Sequence, residues 1–168
     1  MKNRLSPILF FVIVILAAGW GVRWYLRKTI APKMKFQSSV LLLPGNNTKT
    51  TINDLKGNVV IVSFFQTWCG PCIQEMHVFD ELLTTVNSSN FKILCISDEG
   101  ADRIDMLQSR FTANKIMFAH SAESLSSIGI HVYPTTYLLN KNGEVIKSKL
   151  EGYNWALEKG AIEKLLNK

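Results

Sequence analysis

Val59-Val60-Ile61-Val62-Ser63-Phe64-Phe65-Gln66-Thr67-Trp68-Cys69-Gly70-Pro71-Cys72 decides the reading of this chain. Its first half is a nearly continuous apolar run rich in β-branched residues, the composition of a central strand buried on both faces. Its second half places two cysteines three residues apart. A helical pattern then continues to about Val86, with Met76, Phe79, Leu82, Leu83 and Val86 recurring at spacings of three and four. The cysteine pair therefore sits at a strand-to-helix junction. Three residues make nearly one helical turn, so both side chains fall on one side and can reach each other. Cys69 at the helix N-terminus meets free amides and the positive end of the helix dipole, which favour a thiolate. Pro71 has no amide hydrogen to leave unpaired in the first turn. Cys72, one turn inward, is expected to be more buried and less acidic. In thiol–disulfide exchange a thiolate attacks and a second thiol resolves the mixed disulfide. That chemistry assigns Cys69 as the attacking thiol and Cys72 as the resolving one, with their disulfide as the redox group and no other cofactor.

A structural zinc site is the competing use of paired cysteines, but it needs about four ligands. Only Cys95 and the histidines His77, His120 and His131 remain, without paired spacing, so no metal is expected. Cys95, between Leu94 and Ile96, reads as a small core residue of a strand.

Outward from this stretch, strands alternate with helices and a hairpin follows. Strands are expected near Val40–Leu43, Phe91–Ser97, Ile116–Phe118, Thr135–Leu139 and Glu144–Ser148, with turns at 44–47 and 141–143. Thr51–Gly57 and Ser124–Ile128 read as helical turns. Helices are expected from Asp102 to about Phe111 and from Tyr153 to Leu166. The order predicts an α/β fold, a central mixed β-sheet flanked by helices on both faces.

The N-terminus is different in kind. No charged residue occurs from Leu5 to Val22. Eighteen helical residues span about 27 Å, close to the ~30 Å hydrocarbon core of a bilayer. Ser6 is placed to cap this helix and Pro7 fits its first turn. Trp20, Trp24 and Tyr25 with Arg23 and Arg27 resemble an interfacial belt. Residues 1–28 are expected to be a membrane anchor, with a cleaved signal peptide as the alternative given Ala17, Ala18 and Gly19. Residues 29–35 then form a linker and 36–168 the folded domain.

The net charge of +6 does not point to nucleic acid. Seven of the 19 basic residues lie in residues 1–35, which hold no acid; the remaining 12 face 13 acidic residues, leaving 36–168 at −1. The natural partner of the basic segment is anionic lipid. By charge count the basic flank after the span would hold the domain in the cytoplasm.

The motif Trp68-Cys69-Gly70-Pro71-Cys72, the lead-in Leu55–Phe65, the following Ile73-Gln74-Glu75-Met76, and Tyr133-Pro134-Thr135-Thr136 with Asn140–Gly143 resemble the thioredoxin superfamily, in its membrane-anchored TlpA/ResA-like branch. The resemblance runs from about Phe36 to the C-terminus. It implies a thioredoxin-like fold and a cis peptide bond before Pro134. It implies Trp68, Gly70, Pro71, Tyr133 and Pro134 as residues that meet substrate. It also implies Glu75, three residues beyond Cys72, as a third catalytic residue that handles the proton of the buried thiol. Residues 98–121 resemble the extra α/β piece of this branch. Ser63 stands where thioredoxins carry a buried aspartate, and His77 where the family commonly has a helix-kinking proline; His77 reads as an ordinary exposed helix residue. The implied activity is protein disulfide reduction on the extracytoplasmic (periplasmic) side of a membrane. Protein thiols and disulfides would be the substrates, apocytochrome c among them, and an upstream thiol protein the electron donor. On side, this chemistry outweighs the charge count. A peroxiredoxin-like peroxidase and a thiol-dependent chaperone or assembly factor are the alternatives.

Overall fold

The structure is a computed structural model. It describes residues 7–29, 37, 39–43, 48–111, 116–150 and 153–168, with the side chains of 7–8 and 23–29 left aside. The expected turn at 44–47, the Ser6 cap, the Trp24 and Tyr25 side chains and most of the 29–35 linker lie outside the described residues. The chain divides into two units, 1–32 and 33–168.

The first unit contains α1, Pro7–Thr29. The helix starts at the proline, whose fixed φ suits a first turn. Its described side chains, Leu9 to Val22, are all exposed. No helix among the described residues is long and apolar enough to cross a membrane.

The second unit runs β1 (Leu41–Leu42), β2 (Lys49–Thr50), a 3₁₀ turn (Ile52–Leu55), β3 (Val59–Phe64), α2 (Gly70–Val86), β4 (Phe91–Ser97), α3 (Ala101–Gln108), β5 (Ile116–Ser121), β6 (Thr135–Leu139), β7 (Val145–Leu150), a 3₁₀ turn (Trp155–Glu158) and α4 (Lys159–Leu166). Seven strands form one sheet in the order β2-β1-β5-β4-β3-β6-β7. β3 pairs parallel with β4, and β4 with β5; β6 runs antiparallel to β3 and β7 antiparallel to β6. Every residue of β3 is buried, as its unbroken apolar run requires.

One face of the sheet carries Val59, Ile61, Phe65, Ile93, Cys95, Phe118 and Leu138. With them cluster Met76, Phe79 and Leu82 of α2, Ile104 and Leu107 of α3, Trp155, and Ile162 of α4. Truncating a ring such as Phe79 here would cost about 3–5 kcal/mol, because transfer and cavity terms add. The opposite face, with Val60, Val62, Phe64, Leu94, Ile96, Tyr137 and Leu139, is equally buried. Among the described residues, α2, α3 and α4 each send side chains into the cluster on the first face.

Three boundaries differ from expectation. The strand at Lys49–Thr50 is two residues long and has no periodic signature. α3 ends at Gln108, and Phe111 lies beyond it, its ring 5.2 Å from His77 and 6.1 Å from Phe118. The C-terminal helix expected from Tyr153 is instead a 3₁₀ turn followed by α4, because Asn154 opens a new cap: its Oδ1 accepts the Ala156 amide at 3.0 Å. The hairpin after β6 is as expected. Gly143 has φ +82, a conformation that glycine reaches without a Cβ penalty, and its amide donates to Asn140 O at 2.9 Å.

Candidate active site

β3 hands the chain to α2 through Phe65–Cys69. This loop is held on both sides. Phe65 N donates to Ile96 O at 3.0 Å and Cys69 N to Gln66 O at 3.0 Å. Gln66 Nε2 donates to Asp98 Oδ1 at 2.7 Å, and Asp98 Oδ2 accepts the Leu125 amide at 2.8 Å. Burial pushes the Asp98 carboxyl up, but these donors outweigh it and hold it below the usual range. Thr67 presents its amide and its hydroxyl (2.9 Å) to the two oxygens of Glu99, which also pairs with Arg103 at 3.3 Å. Segment 98–121, expected as an inserted piece, therefore supplies the acids that clasp the loop before Trp68.

Cys69 is the N-cap of α2, and its Sγ accepts the Cys72 amide at 3.3 Å. The two cysteines form a disulfide with Cα atoms 5.3 Å apart. Cys69 is 5 % exposed and Cys72 1 %, the order expected, although both are covered. Gly70 and Pro71 between them are exposed. Trp68 is 71 % exposed, its ring edge-on to Tyr133 at 6.3 Å. The Tyr133–Pro134 bond is cis. The structure thus brings the Trp68–Cys72 and Tyr133–Pro134 loops together.

Glu75 lies one turn along α2 from Cys72 and is only 7 % exposed. Ser63 Oγ donates to its Oε2 at 2.9 Å, Thr136 Oγ1 lies 2.9 Å from both that oxygen and Ser63 Oγ, and Trp155 Nε1 donates to Oε1 at 2.8 Å. Burial raises its pKa above the ordinary 4.5; the three hydrogen bonds oppose that shift without cancelling it. Glu75 also lines a cavity of about 220 Å³ with Pro71, Gln74, Val78, Pro134, Tyr153 and Asn154. The carboxyl is therefore walled by neutral donors and opens beside both prolines of the site.

Cys95 is fully buried and free, on the same rung of the sheet as Ser63 and Thr136. Burial, with the nearby Glu75 charge second, pushes its thiol well above the usual value, so it stays protonated. His77 is exposed on α2, against Phe111. Among the described residues, no three His, Cys, Asp or Glu side chains are grouped to hold a metal ion.

Residues 31–166 match the Redoxin family. The chain belongs to that family. Thiol-disulfide oxidoreductase ResA of Bacillus thuringiensis (strain Al Hakam) is 28 % identical over 171 residues, covering 90 % of this chain and 95 % of the relative. Sporulation thiol-disulfide oxidoreductase A of Bacillus subtilis (strain 168) is 28 % identical over 100 residues, 56 % of this chain and 61 % of the relative. In fold, this Redoxin-family chain is similar to the thioredoxin domain of a thiol-disulfide oxidoreductase from Bacteroides vulgatus. The TM-score is 0.64 at 18 % identity, over 83 % of this chain and 96 % of that one. It is similar too to StoA from Bacillus subtilis, with TM-score 0.57 at 20 % identity over 74 % and 96 %. The Cys-x-x-Cys pair at the head of α2 fits these relatives, and the chain is a ResA-like thiol–disulfide oxidoreductase of the thioredoxin superfamily.

Thr136 belongs to the Tyr133–Thr136 motif, but nothing along the chain aims its hydroxyl at Glu75. Three further site residues escape a reading of the sequence. Trp155, Tyr153 and Glu99 carry no spacing signal toward the cysteines; only the fold brings Trp155 across 80 residues to Glu75.

Proposed function

We propose that this oxidoreductase reduces protein disulfides, through a dithiol at Cys69 and Cys72, while held at a membrane by residues 1–28 with its catalytic domain on the extracytoplasmic side. The observation that carries the reading is the Cys69 sulfur seated as N-cap of α2, accepting the Cys72 amide. In the reduced enzyme that amide and the helix dipole favour the thiolate. The thiolate attacks a substrate disulfide and one substrate sulfur leaves as a thiol. Cys72 then loses its proton and attacks Cys69, releasing the second substrate thiol. Two electrons pass to the substrate, and the Cys69–Cys72 disulfide remains for an upstream thiol protein to reduce.

Trp68, Gly70, Pro71, Tyr133 and Pro134 form the surface that meets substrate, where an extended peptide can lie along the 133–134 backbone. Glu75 takes the role of proton acceptor for Cys72, directly or through water in the cavity it lines. The direction rests on Gly70-Pro71, thioredoxin's own dipeptide, since thioredoxin lies near about −270 mV and is a reductant. The uncharged run from Leu5 to Val22 supports the anchor. The TlpA/ResA-like resemblance supports exported substrates such as apocytochrome c cysteines.

The test is trapping. Cys72→Ser should accumulate mixed disulfides through Cys69, recovered in the membrane fraction and open to protease from the outer face. Cys69→Ser should give none, and Cys95→Ser should leave insulin reduction unchanged. Equal trapping through Cys95, or adducts confined to a soluble cytoplasmic fraction, would overturn the assignment or the location respectively.

A further inference from the structure

The two oxygens of Glu75 face different chemistry. Oε1 meets the indole Nε1–H of Trp155 at 2.8 Å, and an indole nitrogen can donate but never accept. Oε2 meets the hydroxyls of Ser63 and Thr136, both at 2.9 Å, and a hydroxyl can donate or accept by rotating. A proton on Oε1 would point at the indole N–H and leave two hydrogens opposed in a buried site. A proton on Oε2 finds an acceptor when either hydroxyl turns, while Oε1 remains the carbonyl oxygen that Trp155 binds. We propose that Trp155 is a positioning residue that keeps the exchangeable proton of Glu75 on Oε2, the oxygen that faces the Ser63 and Thr136 hydroxyls.

The geometry gives this a rigid frame. Trp155 is fully buried in the core cluster with α2 and α4, and Tyr153 meets its ring edge-on at 5.2 Å. Ser63 and Thr136 are directly paired across β3 and β6. The indole therefore cannot swing away, and the hydroxyls can only rotate. No buried side-chain nitrogen or oxygen among the described residues lacks a hydrogen-bond partner. The other groups facing Glu75 do not interfere. Cys72 is tied in the disulfide when the protein is oxidised, Cys95 on β4 is held protonated by burial, and Tyr153 is held up by its bond to Glu158.

This inference rests on Glu75 as the proton-handling residue and is tested separately from it. The probe is the Nε1–H resonance of Trp155 in the oxidised full chain, assigned by its loss in Trp155→Phe. The resonance is expected to titrate once, with a midpoint above the ordinary carboxylate value, and to stay protected from water exchange at both ends of the titration. In Glu75→Gln the titration should vanish while protection persists, because the amide oxygen still accepts. In reduction assays Trp155→Phe should displace the pH–rate profile upward by about one unit or more, the loss of one hydrogen bond to the charged form. An indole proton that becomes freely exchanging at low pH means that Oε1 carries the proton, and the proposal falls. It also falls if the resonance does not titrate. A titrating, protected indole beside an unchanged rate in Glu75→Gln would instead remove Glu75 from catalysis and leave the proton assignment standing.

Discussion

Glu75 and Glu158 invite comparison because the same two aromatic rings serve them. Tyr153 and Trp155 meet edge to face; the Trp155 indole donates to Glu75 and the Tyr153 hydroxyl to Glu158. The carboxylates are equally covered, at 7 % and 6 % exposure. Their surroundings differ in one respect. Glu158 has a cation, Lys147, on the oxygen that Tyr153 also binds. Glu75 has only neutral donors. Burial pushes both pKa values up. For Glu158 the Lys147 and Tyr153 contacts outweigh it and bring the group below the ordinary 4.5, whereas for Glu75 burial wins and the group ends above it. A compensating charge, rather than depth, separates a carboxylate held in its charged form from one whose pKa is raised.

The largest expected effect breaks the comparison at the level of chemistry. Glu75→Gln keeps the side chain's size and removes its titration. Insulin reduction should fall by about 10²-fold, the lower range for general acid–base catalysis, and its pH profile should flatten. Glu158→Gln should stay within about twofold, since that carboxylate is already committed to Lys147 and Tyr153. Equal losses in the two variants would mean that the pair acts only by holding the cavity wall.

The next effect is on stability, and its sign is opposite for the two groups. Glu75 has a folded pKa above its unfolded one. The stability it contributes is present below about pH 4.5 and is lost as pH rises through the higher folded value. Glu158 has a lowered folded pKa, so its contribution is present above its ordinary value and is lost as pH falls. Urea unfolding of the oxidised protein from pH 4 to 8 should show the wild type losing an increment toward high pH that Glu75→Gln retains. Glu158→Gln should cost about 1–2 kcal/mol at pH 7, discounted because the Lys147 side chain is 36 % exposed, and should no longer lose stability in acid. Parallel pH curves for the two variants would erase the distinction.

What could be read in advance follows the same division between local and distant. Cys69, Cys72 and Glu75 share one helix, and Pro134 sits in a short motif, so spacing and resemblance reached all four. The neutral cage around Glu75 comes from residues 12, 61 and 80 positions away, and no pattern along the chain joins them. The same tertiary demand misled the reading of the C-terminus. Residues 153–166 have helical spacing, but Trp155 is turned into the core and Tyr153 toward Glu158, so the first turn is 3₁₀ and the α-helix begins only at Lys159. The sheet's strands were legible because β3 to β6 are apolar runs. β2 was not, since a two-residue edge strand is defined only by its partner Leu41–Leu42.

The smallest expected effect sharpens the comparison at its outer rim. Lys149 lies over the Tyr153 ring at 4.6 Å, and Lys147 lies over it at 5.6 Å while its ammonium binds Glu158. Both lysines add positive charge on the Glu158 side of the aromatic pair, whereas the Glu75 carboxyl is bonded by Ser63, Thr136 and Trp155 alone among the described residues. Lys149→Gln removes one cation from a half-buried position and leaves the Glu158 hydrogen bonds in place. A cation over an accessible ring contributes about 0.5–1 kcal/mol, so the loss in urea unfolding should not exceed that. Because Tyr153 also lines the cavity beside Glu75, a substrate peptide entering there would meet a slightly less fixed wall: KM for insulin should rise modestly, with kcat and the pH–rate profile unchanged. A shifted pH profile in this variant would show that the positive rim reaches Glu75 after all. The contrast between a charge-compensated and a neutral carboxylate would then be one of degree.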